Sequence, residues 1–425
     1  MDVRDAIFTI GIILLAGLVA IPLAQRLRLP HMLLMLAFGA ILGPSVADVI
    51  DVPLDSVGAE VLLTLGVSFV LFHGGLQLSA GVLRQAAVGL GLLVLPGVIV
   101  TAVLCGVVAS AVFDVPMTMG LLIGAALAPT DPAILIPLFE RMRIRPKVSQ
   151  TLVAESALND PVGAVLALTF LGLVVTGKGF TAQPVLDFAS EFGISVALGI
   201  AFGVGLALAV SSRRAGVWGE SAGIAVLALV SITFVSVQEA GAESGYLGPF
   251  IAGLIVGNMD RLRLGMHTSH ELEMRRLVES VSEIMVIFVW VVLGANLPFG
   301  AIADEWLPAL AVLGTLLLVA RPLVVLGCLL PDRRGRWTRE EMIFLGWARE
   351  TGVVPAALAG LVVSRGVDHG DLVVVTVALA IIVTLGLQAS TKRWLAHRLR
   401  LIEAPAPIPV GAGAASASEG SPPPA

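Results

Sequence analysis

The sequence predicts an all-α polytopic membrane protein with thirteen transmembrane spans, arranged as two inverted six-helix repeats with discontinuous crossing helices in spans 5 and 12. Three observations predict it. Apolar runs near 20 residues recur along the chain, arginine and lysine gather in alternate connections, and two spans are interrupted at corresponding places. Of the 425 residues, 57% are hydrophobic and 13% charged, with a mean hydropathy of +0.97. A soluble protein of this size needs a charged shell that this composition cannot build, and the runs are longer than a buried core helix requires.

The first apolar run, 6–25, follows Asp2, Arg4 and Asp5 rather than a basic segment, and Arg26 and Arg28 come after it. It reads as a retained helix and not as a cleaved signal. Further spans are expected at 31–50, 57–79, 86–113, 116–138, 148–176, 187–211, 217–238, 243–259, 276–297, 304–330, 341–364 and 371–391. Cys105 lies in the span 86–113 and Cys328 in the span 304–330, and both read as inert core thiols. Beyond Leu401 the chain turns to Ala, Pro, Gly and Ser, so residues 396–425 are expected to form a disordered cytoplasmic tail.

The distribution of basic residues tests this count. Arg26, Arg28, Arg84, Arg141, Arg143, Arg145, Lys147, Arg213, Arg214, Arg261, Arg263, Arg275 and Arg276 fall in alternate connections, and Arg333, Arg334, Arg336, Arg339, Lys392, Arg393, Arg398 and Arg400 continue the series. The other side holds Arg4, Lys178 and Arg365. The positive-inside rule therefore puts the N-terminus outside and the C-terminus in the cytoplasm, N-out/C-in.

Two arginines, Arg321 and Arg349, fall inside spans, as do Asp131, Glu155, Asp160 and Glu350. At roughly 2.5–3.5 kcal/mol each on insertion scales, six isolated charges would cost on the order of 15–20 kcal/mol. They must face protein or a wet cavity, and some must pair. Span 5 is broken by Ala128-Pro129-Thr130-Asp131-Pro132 and span 12 by Thr351-Gly352-Val353-Val354-Pro355. Such breaks at membrane depth are tolerated only where the loose ends meet protein, water or an ion. Interrupted helices at matching places of two halves point to a transport site.

Ser156 and Asp160 are four residues apart on one helix face, while Glu155 and Asn159 share the adjacent one. Asp160 and Ser156 can thus offer oxygens to a cation, completed by Asp131, the Thr130 hydroxyl and carbonyls freed by the break. Taken singly, Ser156, Thr130 and Asn159 could equally be interhelical hydrogen-bonding glue. Glue does not need a charge, so Asp131 and Asp160 read as functional. Glu155 is expected to form a structural ion pair with Arg321, with Arg349 as the second candidate, and Glu350 either to be held in the same way or to face the vestibule. His73, late in span 3, reads as a packing residue or a pH-responsive modulator. His267, His270 and Glu271 read as a solvated loop rather than a zinc site.

These residues together resemble the monovalent cation/proton antiporter superfamily, in its NhaP-like and sodium-proton exchanger branch. The matching segments are Thr130-Asp131-Pro132, Glu155-Ser156-Ala157-Leu158-Asn159-Asp160, Tyr246-Leu247-Gly248-Pro249-Phe250-Ile251-Ala252-Gly253, Ala320-Arg321-Pro322, and Gly346-Trp347 through Gly352-Val353-Val354-Pro355. The resemblance covers residues 1–395. It implies a homodimer in which spans 1–3 and 7–10 form a dimerisation scaffold and spans 4–6 and 11–13 a mobile core. It also implies that Asp160 binds cation and proton alternately, and that Asn159 marks an electroneutral branch. Two departures stand out: His73 occupies a place where the family often has glutamate, and Thr351, preceded by Arg349-Glu350, occupies one where it usually has arginine.

The expected activity is secondary antiport of Na⁺ (or K⁺) for H⁺ across the cytoplasmic membrane by alternating access, serving pH homeostasis, with proton and cation competing for one carboxylate. The rivals are a sodium-coupled symporter of similar fold and a cation channel; no organic-substrate cavity and no repeated pore motif is evident in the sequence. An enzyme is not expected, and no cofactor or nucleic-acid partner is called for. The partners expected are Na⁺ or K⁺, H⁺, the lipid bilayer and a second copy of the chain.

Overall fold

The computed structural model describes residues 3–402 apart from 28, 82–86, 132–141, 143, 178–182, 213–215, 243 and 334. Its elements are helical: α1 (Val3–Leu27), α2 (His31–Leu42), α3 (Val57–Gln77), α4 (Ala87–Phe113), α5 (Met117–Ala126), α6 (Pro146–Thr176), α7 (Gln183–Val210), α8 (Ala222–Glu239), α9 (Leu247–Gly257) and α10 (Thr268–Ala295). Then follow α11 (Phe299–Gly314), α12 (Arg321–Leu329), α13 (Arg339–Trp347), α14 (Val353–Ser364), α15 (Gly370–Val383) and α16 (Ala389–Arg398). Short π-helical segments, Thr315–Ala320 and Thr384–Gln388, join α11 to α12 and α15 to α16 without a loop. Among the described residues nine helical stretches are long and apolar enough to cross a membrane, and α2, α5, α9 and α14 are shorter apolar helices. The molecule is an all-helical, multi-pass membrane protein.

Packing sorts the helices into two groups. α1, α2, α3, α7, α8, α9 and α10 contact one another, and so do α4, α5, α6 and α11 to α16. Contacts of α3 and α10 with α14, and of α3, α7 and α9 with α6, make the seam between them. Small residues set the closest approaches. On α4, Ala102, Gly106 and Ser110 recur every fourth residue and lie against Gly120 and Gly124 of α5, bringing the two backbones together. With no hydrophobic drive between helices in lipid, such stripes supply van der Waals contact.

Proline explains much of the irregularity. Pro322 cannot donate the hydrogen bond an α-helix needs at that point and its ring crowds the preceding turn, and the π-helical segment ends just before it, at Ala320. Pro161 sits inside α6, immediately after Asp160. Pro355 breaks nothing. It occupies the first turn of α14, where a backbone N–H has no intrahelical partner to lose. The second break therefore lies upstream of where the proline suggested, at Ala348–Gly352. The first begins where α5 ends at Ala126 and runs through Asp131; Pro132 lies outside the described residues.

Two boundaries move. α10 starts before its apolar run, so His270, Glu271, Arg275 and Arg276 lie on a helix and not in a loop, with Arg275 paired to Glu271 at 2.8 Å. The ordered chain continues past residue 395: Ala396 and Leu401 are buried, and Ile402 bridges to Ile144 beside the start of α6. Residues 403–425 of the expected tail lie outside the described residues.

Candidate functional site: the crossing of two broken helices

The two breaks meet and complement each other. The last carbonyls of α5 carry partial negative charge, and the Arg349 guanidinium donates to two carbonyls just past its end, Leu127 and Ala128, at 2.8 Å each. In the other direction, the Val353 N–H at the start of α14 donates to Asp131 Oδ2 at 3.4 Å, so the carboxylate faces a positive helix end. The Asp131 N–H donates to the Glu350 carbonyl at 3.1 Å, joining one break to the other directly. Gly352 permits the contact, since a Cβ there would fall on the Asp131 side chain.

α6 runs past this crossing with its polar face turned to it. The Thr130 and Ser156 hydroxyls are 2.7 Å apart. Asn159 clamps the first break: its Nδ2 donates to Thr130 Oγ1 at 2.9 Å, and its Oδ1 accepts from the Thr130 N–H at 3.2 Å. Asp160 interacts with the Thr130 backbone and lies close enough to Asp131 for the two carboxylates to repel. Its Oδ1 is buried without a hydrogen-bond partner among the described residues. Pro161 cannot supply the N–H that would close the helical bond to the Ala157 carbonyl, which leaves one more oxygen at the level of Ser156 and Asp160. Thr130, Asp131, Ser156, Asn159 and Asp160 are thus all brought together and all buried.

The charged residues behind this shell sort differently from their spacing. Arg321 takes Glu155 with both terminal nitrogens, Nη1 to Oε1 and Nη2 to Oε2, the latter at 3.0 Å, and its Nε donates to the Leu345 carbonyl at 3.0 Å. One guanidinium thereby ties α12 to α6 and α13. Arg349, the second candidate for that pairing, is committed instead to the Leu127 and Ala128 carbonyls. Glu350 neither pairs with arginine nor faces a vestibule; it is fully buried and pairs with Lys392 of α16. His73 stands apart from the crossing, half-buried in α3, with its Nε2 2.7 Å from Gln77 Nε2 and with Glu279 and Arg275 of α10 within electrostatic reach. A cavity of about 660 Å³ opens between α3, α6, α8 and α14, and it touches α6 at Leu168, two turns beyond Asp160.

Lys392 is the residue that sequence reasoning missed. It stands beside Arg393, in what reads as a basic connection, yet it is fully buried. The available signal was Gln388 one turn earlier: two polar side chains four apart define a face that does not point at lipid.

The family described as sodium/hydrogen exchanger, transmembrane, matches residues 10–398, nearly the whole described chain. The chain belongs to the sodium/hydrogen exchanger family. It is 29% identical to the probable Na(+)/H(+) antiporter 2 of Methanocaldococcus jannaschii over 86% of each chain. It is likewise 29% identical to the K(+)/H(+) antiporter NhaP2 of Shewanella oneidensis, over 95% of this chain and 68% of that one. Among solved structures, the sodium proton antiporter MjNhaP1 from Methanocaldococcus jannaschii at pH 8 superposes with a TM-score of 0.82 at 25% identity, covering 94% of this chain and 99% of that one. The exchanger fold is therefore shared along nearly the full length of both.

Proposed function

We propose that this exchanger is a secondary antiporter that moves Na⁺ or K⁺ against H⁺ through a single carboxylate, Asp160. The observation that carries the proposal is the buried Asp160 Oδ1, without a partner among the described residues, beside the oxygens of Thr130, Ser156 and Asp131. A small monovalent cation wants several oxygens and a proton wants one, so either can fill the place, but not both. The empty, anionic site is costly to carry through a dry barrier, so the occupied forms cross. Competition then couples the two fluxes.

Charge bookkeeping supports one-for-one exchange. Around the crossing, Asp131, Glu155, Asp160 and Glu350 are buried acids, and Arg321, Arg349 and Lys392 are buried bases. One negative charge is left over, which one cation or one proton neutralises. Asn159 adds a hydrogen-bonding clamp and no titrating group.

The same reading takes the chain as thirteen spans in two inverted repeats, N-out/C-in in the cytoplasmic membrane. The basic residues in alternate connections and the two breaks at matching places support it. The two packing groups support a scaffold of spans 1–3 and 7–10, through which two copies dimerise, and a core of spans 4–6 and 11–13 that moves against it.

The test is exchange in proteoliposomes. A proton gradient should drive uptake of Na⁺ or K⁺, and at limiting cation the apparent KM should rise as protons are added while the maximal rate holds. Cation flux indifferent to the proton gradient would overturn the proposal in favour of a channel.

A further inference from the structure

The last helix, with the π-helical segment that leads into it, is fastened at three points to the end of α13 and the second break that follows it. The Trp347 Nε1 donates to Thr391 Oγ1 at 2.9 Å, the Glu350 carboxylate pairs with the Lys392 ammonium, and the Thr351 N–H donates to Thr384 Oγ1 at 3.1 Å. Thr384 opens the π-helical segment that leads into α16, a distortion that proteins favour at functional places. Of the three, only the middle contact involves charge. Glu350 and Lys392 are both fully buried, and the Glu350 carboxylate has no other partner among the described residues.

Glu350 is also where the second break touches the first. Its carbonyl accepts the Asp131 N–H, and Gly352, two residues on, lies against the Asp131 side chain. A displacement of Glu350 therefore displaces Asp131. Stability alone is a weak reason for such a pair, since apolar residues of similar volume often serve a buried site as well or better. A fixed geometry is a reason, because an ammonium and a carboxylate locked together hold the backbone of an otherwise irregular segment in one place.

We propose that Lys392 is a positioning residue for cation binding: its ion pair with Glu350 holds the second break so that the Glu350 carbonyl keeps Asp131 in place beside Asp160. The proposal rests on the reading of Asp131 and Asp160 as the cation site. Lys392 itself touches no cation; it acts through Glu350.

The experiment compares the parent with the double variant Lys392→Met/Glu350→Gln in proteoliposomes, measuring proton-coupled Na⁺ and K⁺ transport over a range of cation concentrations. The double variant leaves no buried charge unpaired, so it is the one expected to fold; gel filtration and thermal unfolding in detergent normalise the rates to folded protein. Loss of an outer partner of a metal ligand typically costs 10–100-fold in affinity, so the apparent KM should rise roughly tenfold, well beyond any fall in maximal rate. An unchanged KM overturns the proposal, as does a loss confined to the maximal rate or to the amount of folded protein. If the double variant does not fold, Glu350→Gln alone gives the same readout, because an unpaired lysine can shed its proton. Asp160→Asn in the same assay separates the two ideas. Exchange persisting in Asp160→Asn sinks the cation site itself, whereas an inactive Asp160→Asn beside a normal KM in the double variant sinks only the role of Lys392.

Discussion

Glu155 and Asp160 stand five residues apart on α6, both carboxylates and both nearly sealed from solvent, at 3% and 6% exposure. Five residues turn a helix by about 140° beyond a full turn, so the two side chains leave on different sides. Glu155 meets Arg321 in a two-pronged pair, and Asp160 meets the Thr130 backbone and the like charge of Asp131, with one oxygen unengaged among the described residues. Burial does not separate a structural acid from a transporting one; the partner does. A carboxylate held by a fixed guanidinium has nothing to offer a passing ion, while one with no cationic partner and an unengaged oxygen does.

The strongest way to break this contrast is to neutralise each acid in turn. Asp160→Asn and Asp160→Ala should abolish exchange while leaving a folded protein, as judged by gel filtration and proteoliposome flux. Glu155→Gln should transport in proportion to the amount that folds. Normal exchange by well-folded Asp160→Asn protein would place the cargo elsewhere.

Next in size is the pair itself. Removing one member of a buried pair costs about 3–5 kcal/mol, whereas removing both can be nearly neutral. Arg321→Ala should therefore lower thermal stability in detergent markedly, and Glu155→Gln/Arg321→Gln should regain part of the loss. Strictly additive losses in that cycle would contradict the direct contact. Arg349→Ala should destabilise through a different route, by leaving the Leu127 and Ala128 carbonyls without their donor, and Glu155→Gln should not rescue it.

A smaller effect is expected at the clamp. Asn159→Ala removes the hydrogen bonds to the Thr130 N–H and hydroxyl, a loss of about 1–3 kcal/mol for groups left buried and unsatisfied. It should weaken cation affinity without changing the ratio of cations to protons. A changed ratio on reversal-potential measurement would mean that Asn159 does more than orient the break.

The smallest expected effect is none at all. With Glu155 and Glu350 each paired and one negative charge left over at the crossing, transport should not respond to voltage. Sodium flux in liposomes clamped at different potentials with potassium and valinomycin should run at one rate, and where potassium is itself carried the reversal point should be the same at every potential. A rate that shifts with potential would show that a second acid, Asp131 first among them, changes protonation during turnover.

Hydropathy and the breaks in it were enough to place Glu155 and Asp160 inside a long apolar helix and Asp131 at an interruption, because transfer free energy is a sum over a local window and a carboxylate stands out in it. Helical period was enough to send Glu155 and Asp160 to different faces. The proline rule erred at Pro355 because a proline in the first turn of a helix resembles, in sequence, a proline that ends one. The choice of Arg321 over Arg349, the burial of Lys392 against Glu350, and the exchange of charges between the two breaks were decided by tertiary structure alone. Arg321 and Glu155 are 166 residues apart in sequence, and the Arg349 donor and its Leu127 acceptor 222. No local pattern encodes which of two buried arginines a given carboxylate will reach. That depends on where the two interrupted helices cross, and only the packed bundle fixes the crossing.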